Sequence, residues 1–431
     1  MRDTPPDHLT EHRESLWSNK NFLLLWCGQG AGALGPRVAA VALPLVALEL
    51  LDAGTFEASL VTFLGWLPYL LFSLPAGLLA DRWDQRRVMV FCDVARMVLM
   101  LSVPLVAAAG HLSLGYLYGV IGLSGTVTVL FTVAYRSQLP QLVRTTHLVD
   151  ANGKLQMSDS AAEMAGPPVA GALVSLLDAA GSLAANALTY AISAVTLWLI
   201  RTPGAAPRRQ TGAAGSIGTA VREGVAYVRG QRVLLALLLC TSTINFFVMA
   251  NTSIQVVFLL RELHASPTAI GFVLSASAVG GLTAGVFARR LAARFGTARI
   301  IWLAMLVPGP LYLLMPLATP GWGIAWYAAG LAALAANSTT FNIAALSYRQ
   351  SVCPPHLLNR VNSVYLWICY GVIPFGSLAG GALGTTLGLR ATIWICALGM
   401  WSAALFVTFS PLRTMRDVPR TVSALADMNP A

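Results

Sequence analysis

Long apolar runs separated by short polar stretches make up most of the chain. A bilayer core about 30 Å thick is crossed by about 20 apolar residues in a helix, and most of the runs reach that length. The pattern predicts an all-α membrane protein with twelve transmembrane helices. The predicted helices cover 21–50, 57–80, 88–108, 113–138, 158–178, 181–200, 233–260, 268–288, 299–317, 321–346, 361–386 and 391–410.

A longer polar stretch divides the predicted helices into two sets of six. The predicted parts are an N-terminal tail, a six-helix bundle, a linker, a second six-helix bundle and a C-terminal tail. They cover 1–20, 21–200, 201–232, 233–410 and 411–431. In the linker, Ser216 is placed to cap a short amphipathic helix, which we expect to lie along the membrane surface. Its apolar face consists of Ile217, Val221, Val225 and Val228.

Two polar loop motifs of the first half recur in order in the second half. The segment Ala134-Tyr-Arg-Ser-Gln-Leu-Pro is echoed by Ser347-Tyr-Arg-Gln-Ser-Val-Cys-Pro, and Gly77-Leu-Leu-Ala-Asp-Arg by Gly285-Val-Phe-Ala-Arg-Arg, each about 210 residues later. An offset of six helices relates the halves by an axis along the membrane normal. We therefore predict two pseudo-symmetric six-helix bundles.

Charged residues make up only 11% of the chain, against roughly 25% in soluble proteins. The net charge is +10 at pH 7, and nearly all the cations lie in the tails, the linker and one set of loops. These loops carry Arg82, Arg86, Arg87, Arg144, Lys154, Arg289, Arg290, Arg294, Arg299, Arg349 and Arg360. The opposite loops carry only Arg261 and Arg390. By the positive-inside rule both termini are cytoplasmic, which explains the basic balance without nucleic acid.

Catalytic and metal-binding motifs are absent from the sequence. It holds no GxxxxGK[ST] phosphate loop, no HExxH motif and no CxxC pair among its six cysteines. The six histidines fall in predicted loops or tails. We therefore predict neither an enzyme nor an ATP-driven pump, and no cofactor or metal. The partner expected from the apolar composition is the lipid bilayer.

The segment Gly77-Leu-Leu-Ala-Asp81-Arg82-Trp-Asp-Gln-Arg86-Arg87 resembles the signature loop of the major facilitator superfamily. Further segments resemble the drug:proton antiporter-like subfamily that contains macrolide efflux proteins and the enterobactin exporter. They are Asn21-Phe-Leu-Leu-Leu-Trp, Ala42-Leu-Pro-Leu, Asp93-Val-Ala-Arg96, Ala134-Tyr-Arg136-Ser and Ala165-Gly-Pro167. The resemblance implies a transporter of the bacterial plasma (inner) membrane that works by alternating access. The partners it implies are a small-molecule substrate and protons, with the chain acting as a monomer.

The resemblance also implies a conformational latch in the signature loop, formed by Gly77, Asp81, Arg82, Arg86 and Arg87. Gly77 permits close helix packing, and Asp81 accepts charge-assisted hydrogen bonds from Arg86 or Arg87. Such a latch favours the outward-open state. The alternative is that the arginines only set topology. In this chain Asp84 replaces a usual glycine, and Arg289 occupies the repeat position of Asp81.

Ionisable residues inside predicted spans are costly unless paired, so they are candidates for function. Arg37 in the first helix is expected to face a central cavity or to pair with Glu163 of the fifth. Asp93 and Arg96, three residues apart in the third helix, are expected to pair with each other or with Arg136. Pro36 stands where the family often has an aspartate, so proton coupling would use another group.

Polar and helix-loosening residues complete the candidate set. Asn245, Asn251, Asn337 and Asn342 supply either cavity contacts or bonds between helices, and both interpretations remain open. The segment containing Gly166, Pro167 and Gly171 resembles the antiporter motif of drug exporters and, with Pro374, predicts gating bends. Three functions follow: an exporter of drugs or secondary metabolites, a dedicated exporter of an endogenous product such as a siderophore, and an uptake carrier or non-transporting membrane protein.

Overall fold

A computed structural model describes residues 19–80, 84–143, 147–200 and 217–417. In these ranges every regular element is helical. The α-helices are α1 Lys20–Leu45, α2 Thr55–Ala80, α3 Gln85–Ala108, α4 Leu114–Leu142, α5 Leu148–Leu199, α6 Ile217–Gly230, α7 Arg232–Arg261, α8 Pro267–Phe295, α9 Arg299–Leu306, α10 Ile324–Val352, α11 Pro355–Gly371, α12 Ile373–Thr386, α13 Leu389–Ser402 and α14 Ala404–Thr408. A π-helical turn, Val46–Leu50, extends α1, and 3₁₀ turns occupy Gly309–Leu314, Gly321–Gly323 and Pro411–Thr414.

Ten helical stretches in the described part of the chain are long and apolar enough to cross a membrane. One of them, Asp150–Leu199, is 50 residues long, and a shorter apolar stretch covers Arg299–Leu314. The structure therefore confirms an all-helical membrane protein, while the count of twelve spans stays a prediction.

The long helix α5 reverses direction at Asp178. This residue has φ 65° and is non-helical, and its side chain accepts a hydrogen bond of 2.7 Å from the backbone N–H of Gly181. The break falls between the predicted segments 158–178 and 181–200. At its other end α5 begins at Leu148, ahead of the predicted start, because a polar turn held by the 3.5 Å Lys154–Asp150 pair extends the helix.

The ninth predicted span is interrupted where hydropathy shows a continuous run. Helix α9 ends at Leu306, and a 3₁₀ turn follows from Gly309. Pro310 has no N–H to donate to the Leu306 carbonyl oxygen, as a continuing helix would require. The indole of Trp401 donates to that oxygen instead, at 3.2 Å. The broken backbone is thus satisfied inside the bundle, as lipid surroundings require.

Helix α6 packs on the second half of the chain. It contacts α11, its Val228 is buried, Glu223 pairs with Arg360, and the Tyr227 hydroxyl donates to the Val352 carbonyl oxygen at 3.3 Å. Burial, followed by the nearby Cys353 thiol, raises the pKa of Tyr227. The expected linker helix is therefore present and docked on the second half of the chain, while its position along the membrane surface stays a prediction.

The helices form two groups, α1–α5 and α7–α14. We call the end that carries Asn19, α6 and Pro411–Thr414 the terminal face, and the end that carries 51–54, 109–113 and 262–266 the opposite face. The amide of Asn19 reaches the Leu142 carbonyl oxygen at 3.0 Å on the terminal face, and the backbone N–H of Ala298 donates to the Arg416 carbonyl oxygen there at 3.1 Å.

The two groups are held together near the opposite face, where α5 crosses α8 and α2 crosses α12. At the first crossing a Cβ at Gly171 would collide with the Pro267 carbonyl, and a Cβ at Gly271 with the Pro167 carbonyl. The hydroxyls of Ser175 and Thr268 lie 2.8 Å apart beside them. Each helix thus packs its backbone directly against a glycine of the other, and this close packing closes the opposite face.

The guanidinium of Arg261, at the end of α7, adds a polar contact to this closure. It donates to the Ala53 carbonyl oxygen of the first group at 2.7 Å. The structure therefore represents a state that is closed at the opposite face.

We predict that Gly271→Ala weakens this closure, because its methyl group meets a backbone oxygen that cannot turn away. Overpacking of this kind costs about 1–3 kcal/mol, so disulfide formation between Ser175→Cys and Thr268→Cys should slow at least about fivefold. The rate is measured by oxidant-driven cross-linking in membranes, with the exposed Cys27 replaced by serine. The matched control is Gly285→Ala in the same helix, where a Cβ meets nothing within 4 Å. Equal slowing by both substitutions would contradict the role of the glycine crossing.

Candidate functional site

Two neighbouring chambers lie between the helix groups. The larger has a volume of about 490 Å³ and the smaller about 380 Å³, sizes typical of small-molecule sites. Five residues line both chambers: Arg37, Ala40, Thr252, Gln255 and Leu274. The first two come from one group and the last three from the other. The chambers therefore lie on the seam that would widen or narrow if the groups moved.

Arg37 stands between the chambers near the middle of α1. It pairs with Glu163 of α5 at 3.8 Å, and the two side chains are 42% and 50% exposed. Because α5 begins at Leu148, Glu163 lies about four turns into the helix. Gly166 makes room for this arrangement, since a Cβ there would press on the Cβ of Arg37. The result is a long, water-accessible ion pair in the cavity wall.

Asp159 belongs to the same charge cluster and was missed from the sequence. It lies one helical turn before Glu163, is exposed, and interacts electrostatically with both Arg37 and Glu163. Asp159 is the second residue of the predicted span 158–178 and is not among the predicted site residues. Its spacing of four residues from Glu163, which places both carboxylates on one helix face, was the available signal.

Aromatic rings of α2 and α11 line the other side of the seam, and these too were missed. The rings of Trp66 and Tyr69 lie 5.3 Å apart, and Trp66 stacks on Tyr370 of the second group at 6.2 Å. Trp66, Tyr69 and Tyr190 all line the larger chamber. Flat apolar surfaces beside a charged pair suit an amphipathic ligand. Hydropathy could not separate these rings from lipid-facing ones.

The four predicted asparagines lie in the second group, and three bond to neighbouring helices. Asn245 donates to the Cys369 carbonyl oxygen at 3.1 Å. Asn251 donates to the Tyr327 hydroxyl at 3.1 Å and also lines the smaller chamber. Asn337 is buried and bonds to the Tyr312 hydroxyl. Asn342 is exposed. For Asn245 and Asn337 the geometry is that of interhelical bonding.

Asp93 and Arg96 pair with each other inside the first group, where their side chains are 1% and 5% exposed. The Arg96 guanidinium lies 4.2 Å from the Phe131 ring centroid and 4.6 Å from that of Tyr190. The side chain of Arg136, the other predicted member, lies outside the described residues. The structure thus places a buried charge pair directly behind Tyr190, a wall residue of the larger chamber.

Part of the predicted latch lies outside the described residues, namely Asp81, Arg82 and the surroundings of Gly77. Arg86 donates to the carbonyl oxygens of Leu197 and Trp198 at the end of α5, a position that suits a cation. Arg87 pairs with Asp84 at 3.3 Å. The side chain of Asp84 also accepts the Arg87 backbone N–H at 3.3 Å and caps α3, which gives this aspartate a local role in place of the usual glycine.

The predicted gating residues occupy two different kinds of position. Around Gly166, Pro167 and Gly171 the backbone stays helical, and α5 departs from helical dihedrals at Asp178 instead. The two glycines serve as close-contact surfaces for Arg37 and Pro267. Pro374, in contrast, lies in the first turn of α12, directly after α11 ends at Gly371. That break coincides with the bend expected in the eleventh span.

The fold and the seam cavity are those of a two-group helical membrane transporter. The chain is similar to the solved structure of a bacterial homologue of the iron transporter ferroportin in an inward-facing state. The similarity covers 91% of this chain and 98% of that one, with a TM-score of 0.72 and 18% sequence identity. Likeness at this identity shows the fold alone.

Residues 15–429 match the family described as transmembrane secretion effector. The chain therefore belongs to this family of major facilitator superfamily transporters, whose members are membrane transporters and not enzymes. It is 25% identical over 410 residues to the multidrug efflux pump Tap of Mycolicibacterium fortuitum, covering 90% of this chain and 95% of that one. It is 26% identical over 276 residues to macrolide efflux protein A of Streptococcus pyogenes, covering 63% and 67%.

Proposed function

We propose that the protein is a secondary active exporter of small amphipathic molecules, such as drugs or secondary metabolites, in exchange for protons. It would work by alternating access in the bacterial plasma membrane as a monomer, with both termini and the terminal face toward the cytoplasm. Efflux proteins among its relatives support export. The one-sided distribution of arginine supports the orientation.

The observation that carries this proposal is the Arg37–Glu163 pair at the seam of the two groups. Its side chains are about half exposed, so a ligand can reach them without any rearrangement of the surrounding contacts. The distance between the two charged groups is long, at 3.8 Å. Either residue can therefore release its partner and pair with a charged group of the substrate. Aromatic rings beside it would hold the apolar part of the same ligand.

Alternating access follows from where the groups touch. In this state they are closed at the opposite face by the α5–α8 crossing and by Arg261. If that closure opened and the terminal face closed, the cavity would become accessible from the other side of the membrane. The substrate would be carried outward because it binds from the cytoplasm in the present state.

Transport by the purified protein in liposomes with an imposed pH gradient tests the proposal. A panel of lipophilic cations, macrolides and siderophores separates the possible functions. We expect uphill movement of several amphipathic compounds in the direction opposite to protons. Transport of a single siderophore would indicate a dedicated exporter, while movement with the proton gradient or no movement at all would contradict proton-driven export.

We predict that Arg37→Ala weakens substrate binding by roughly 5–30-fold, the effect of losing about 1–2 kcal/mol of interaction. Glu163→Gln should weaken cationic substrates more than neutral ones, because it removes the charge that attracts them. Binding is measured by fluorescence titration of the purified protein. Asp150→Asn is the matched control, since Asp150 is exposed and its pair with Lys154 lies at the start of α5, away from the cavity. Unchanged affinity in both cavity variants would assign the pair a structural role.

We further propose that the signature loop acts as a latch for the outward-open state, with Asp81 as its acceptor. Asp81→Asn should slow transport several-fold, because the latched state loses its charge-assisted bonds, while the amount of inserted protein stays normal. Initial transport rates normalised to protein in the membrane measure this effect. Unchanged turnover would leave the arginines with a role in topology alone.

A further inference from the structure

The first helix group contains a second charge pair that the substrate cavity does not use. Asp93 and Arg96 of α3 are 0% and 4% exposed, deep in a lipid-embedded bundle where charges are costly and mark function by default. Replacing such a pair by apolar residues commonly leaves a fold equally stable or more stable. Stability of the fold therefore does not explain why this buried pair is present, and another role is expected.

The pair is incompletely satisfied. Arg96 contacts Asp93 through one nitrogen and one oxygen, Nη2 and Oδ1. The second carboxylate oxygen, Oδ2, and the guanidinium Nε are buried without a hydrogen-bond partner among the described residues. A permanent structural bridge would use both oxygens in a bidentate pair. Oδ2 is the oxygen that Arg96 leaves open on a shielded carboxylate, with the Ser193 hydroxyl of α5 close to the same carboxylate.

Arg96 has a second means of support. Its guanidinium lies between the rings of Phe131 from α4 and Tyr190 from α5, at 4.2 and 4.6 Å from their centroids. Cation–π contacts of this kind are strongest when they are desolvated. The Arg96 guanidinium therefore keeps favourable contacts even when the charge of Asp93 is neutralised. The site can exist with its carboxylate charged or neutral.

Tyr190 joins this pair to the transport site. One side of its ring faces Arg96, and the residue also lines the larger chamber together with Arg37. It packs against Gly35 of α1, where a Cβ would stand 3.0 Å from the ring, directly before Pro36 and Arg37. A change at Asp93 that shifts Arg96 would thus move a wall of the cavity.

The groups that face Asp93 come from α3 itself and from the two helices packed against it. On α3 they are Arg96 and the Cys92 thiol, and on α5 they are Tyr190 and the Ser193 hydroxyl. On α4 the described neighbour of Arg96 is the Phe131 ring, while the side chain of Arg136 lies outside the described residues. Among these described groups Asp93 is the only carboxylate.

We propose that Asp93 is the proton-binding group that couples transport to the proton gradient, with Arg96 and Tyr190 as positioning residues. A proton from water adds to Oδ2 and the ion pair with Arg96 is lost. The guanidinium keeps its contacts with both rings but shifts away from Asp93, and Tyr190 shifts with it. Loss of the proton on the other side of the membrane restores the pair. The inference rests on the proposed proton exchange and separates its two tasks: the Arg37–Glu163 pair meets the substrate, and Asp93 carries the proton.

Asp93→Asn, which mimics the neutral carboxyl group, tests this assignment in liposomes with ethidium as the probe. We expect ethidium counterflow without a pH gradient to stay within about twofold of the unsubstituted protein, because substrate binding and the conformational cycle remain. Accumulation driven by a pH gradient should fall at least about tenfold. The pH dependence of ethidium affinity should also disappear, while Asp150→Asn changes none of these quantities.

The double variant Asp93→Asn, Arg96→Gln removes both charges and guards against failure of a lone buried arginine to fold. We expect the same separation of retained counterflow from lost coupling. Coupling like that of the unsubstituted protein in either variant would overturn the assignment, as would misfolding of both, or loss of counterflow together with coupling, which would mark a structural pair. If the unsubstituted protein shows counterflow but no response to a pH gradient, proton exchange itself is wrong and this inference falls with it.

Discussion

A polar group without a partner is costly in lipid, and most of this structure follows from that constraint. It explains why the described elements are helices, in which the backbone satisfies itself. It also explains the exceptions, such as the Leu306 carbonyl oxygen that Trp401 takes over where Pro310 ends the helix. Charged side chains obey the same constraint in different ways. The Arg37–Glu163 pair lies in an open cavity, whereas the Asp93–Arg96 pair is buried and supported by aromatic rings.

Contacts between the helix groups are of another kind, because two apolar surfaces gain little from meeting each other within lipid. The closure depends on shape, with backbone seated on glycine where α5 crosses α8. Such a contact is tightly packed but contains few hydrogen bonds, so the two helices can separate without leaving many polar groups unpaired. A cavity on the seam, a separable closure and charges within reach of that cavity together form the physical basis for transport.

Much of the fold was predictable because hydropathy reports burial in lipid directly, and the predicted spans overlap the observed helices. The boundary near Asp178 was predicted from the apolar runs. The break at Leu306 was not, since it depends on Pro310 and on a distant tryptophan. The charge rule found Arg37, Glu163, Asp93 and Arg96. It did not include Asp159, which lies at the edge of the predicted span 158–178. Trp66 and Tyr69 were missed because composition does not tell which side of a helix faces the seam.

The central claim is that the two groups move against each other around this cavity. Spin-label distances measured in liposomes by pulsed electron paramagnetic resonance test it most directly, with one label pair on each face. On the opposite face the exposed His111 and Trp322 are replaced by labelled cysteines, and on the terminal face the exposed Gly153 and Ala293. A change of pH or added substrate should lengthen one distance while shortening the other. Distances that stay constant, or that change in the same direction on both faces, would contradict the account.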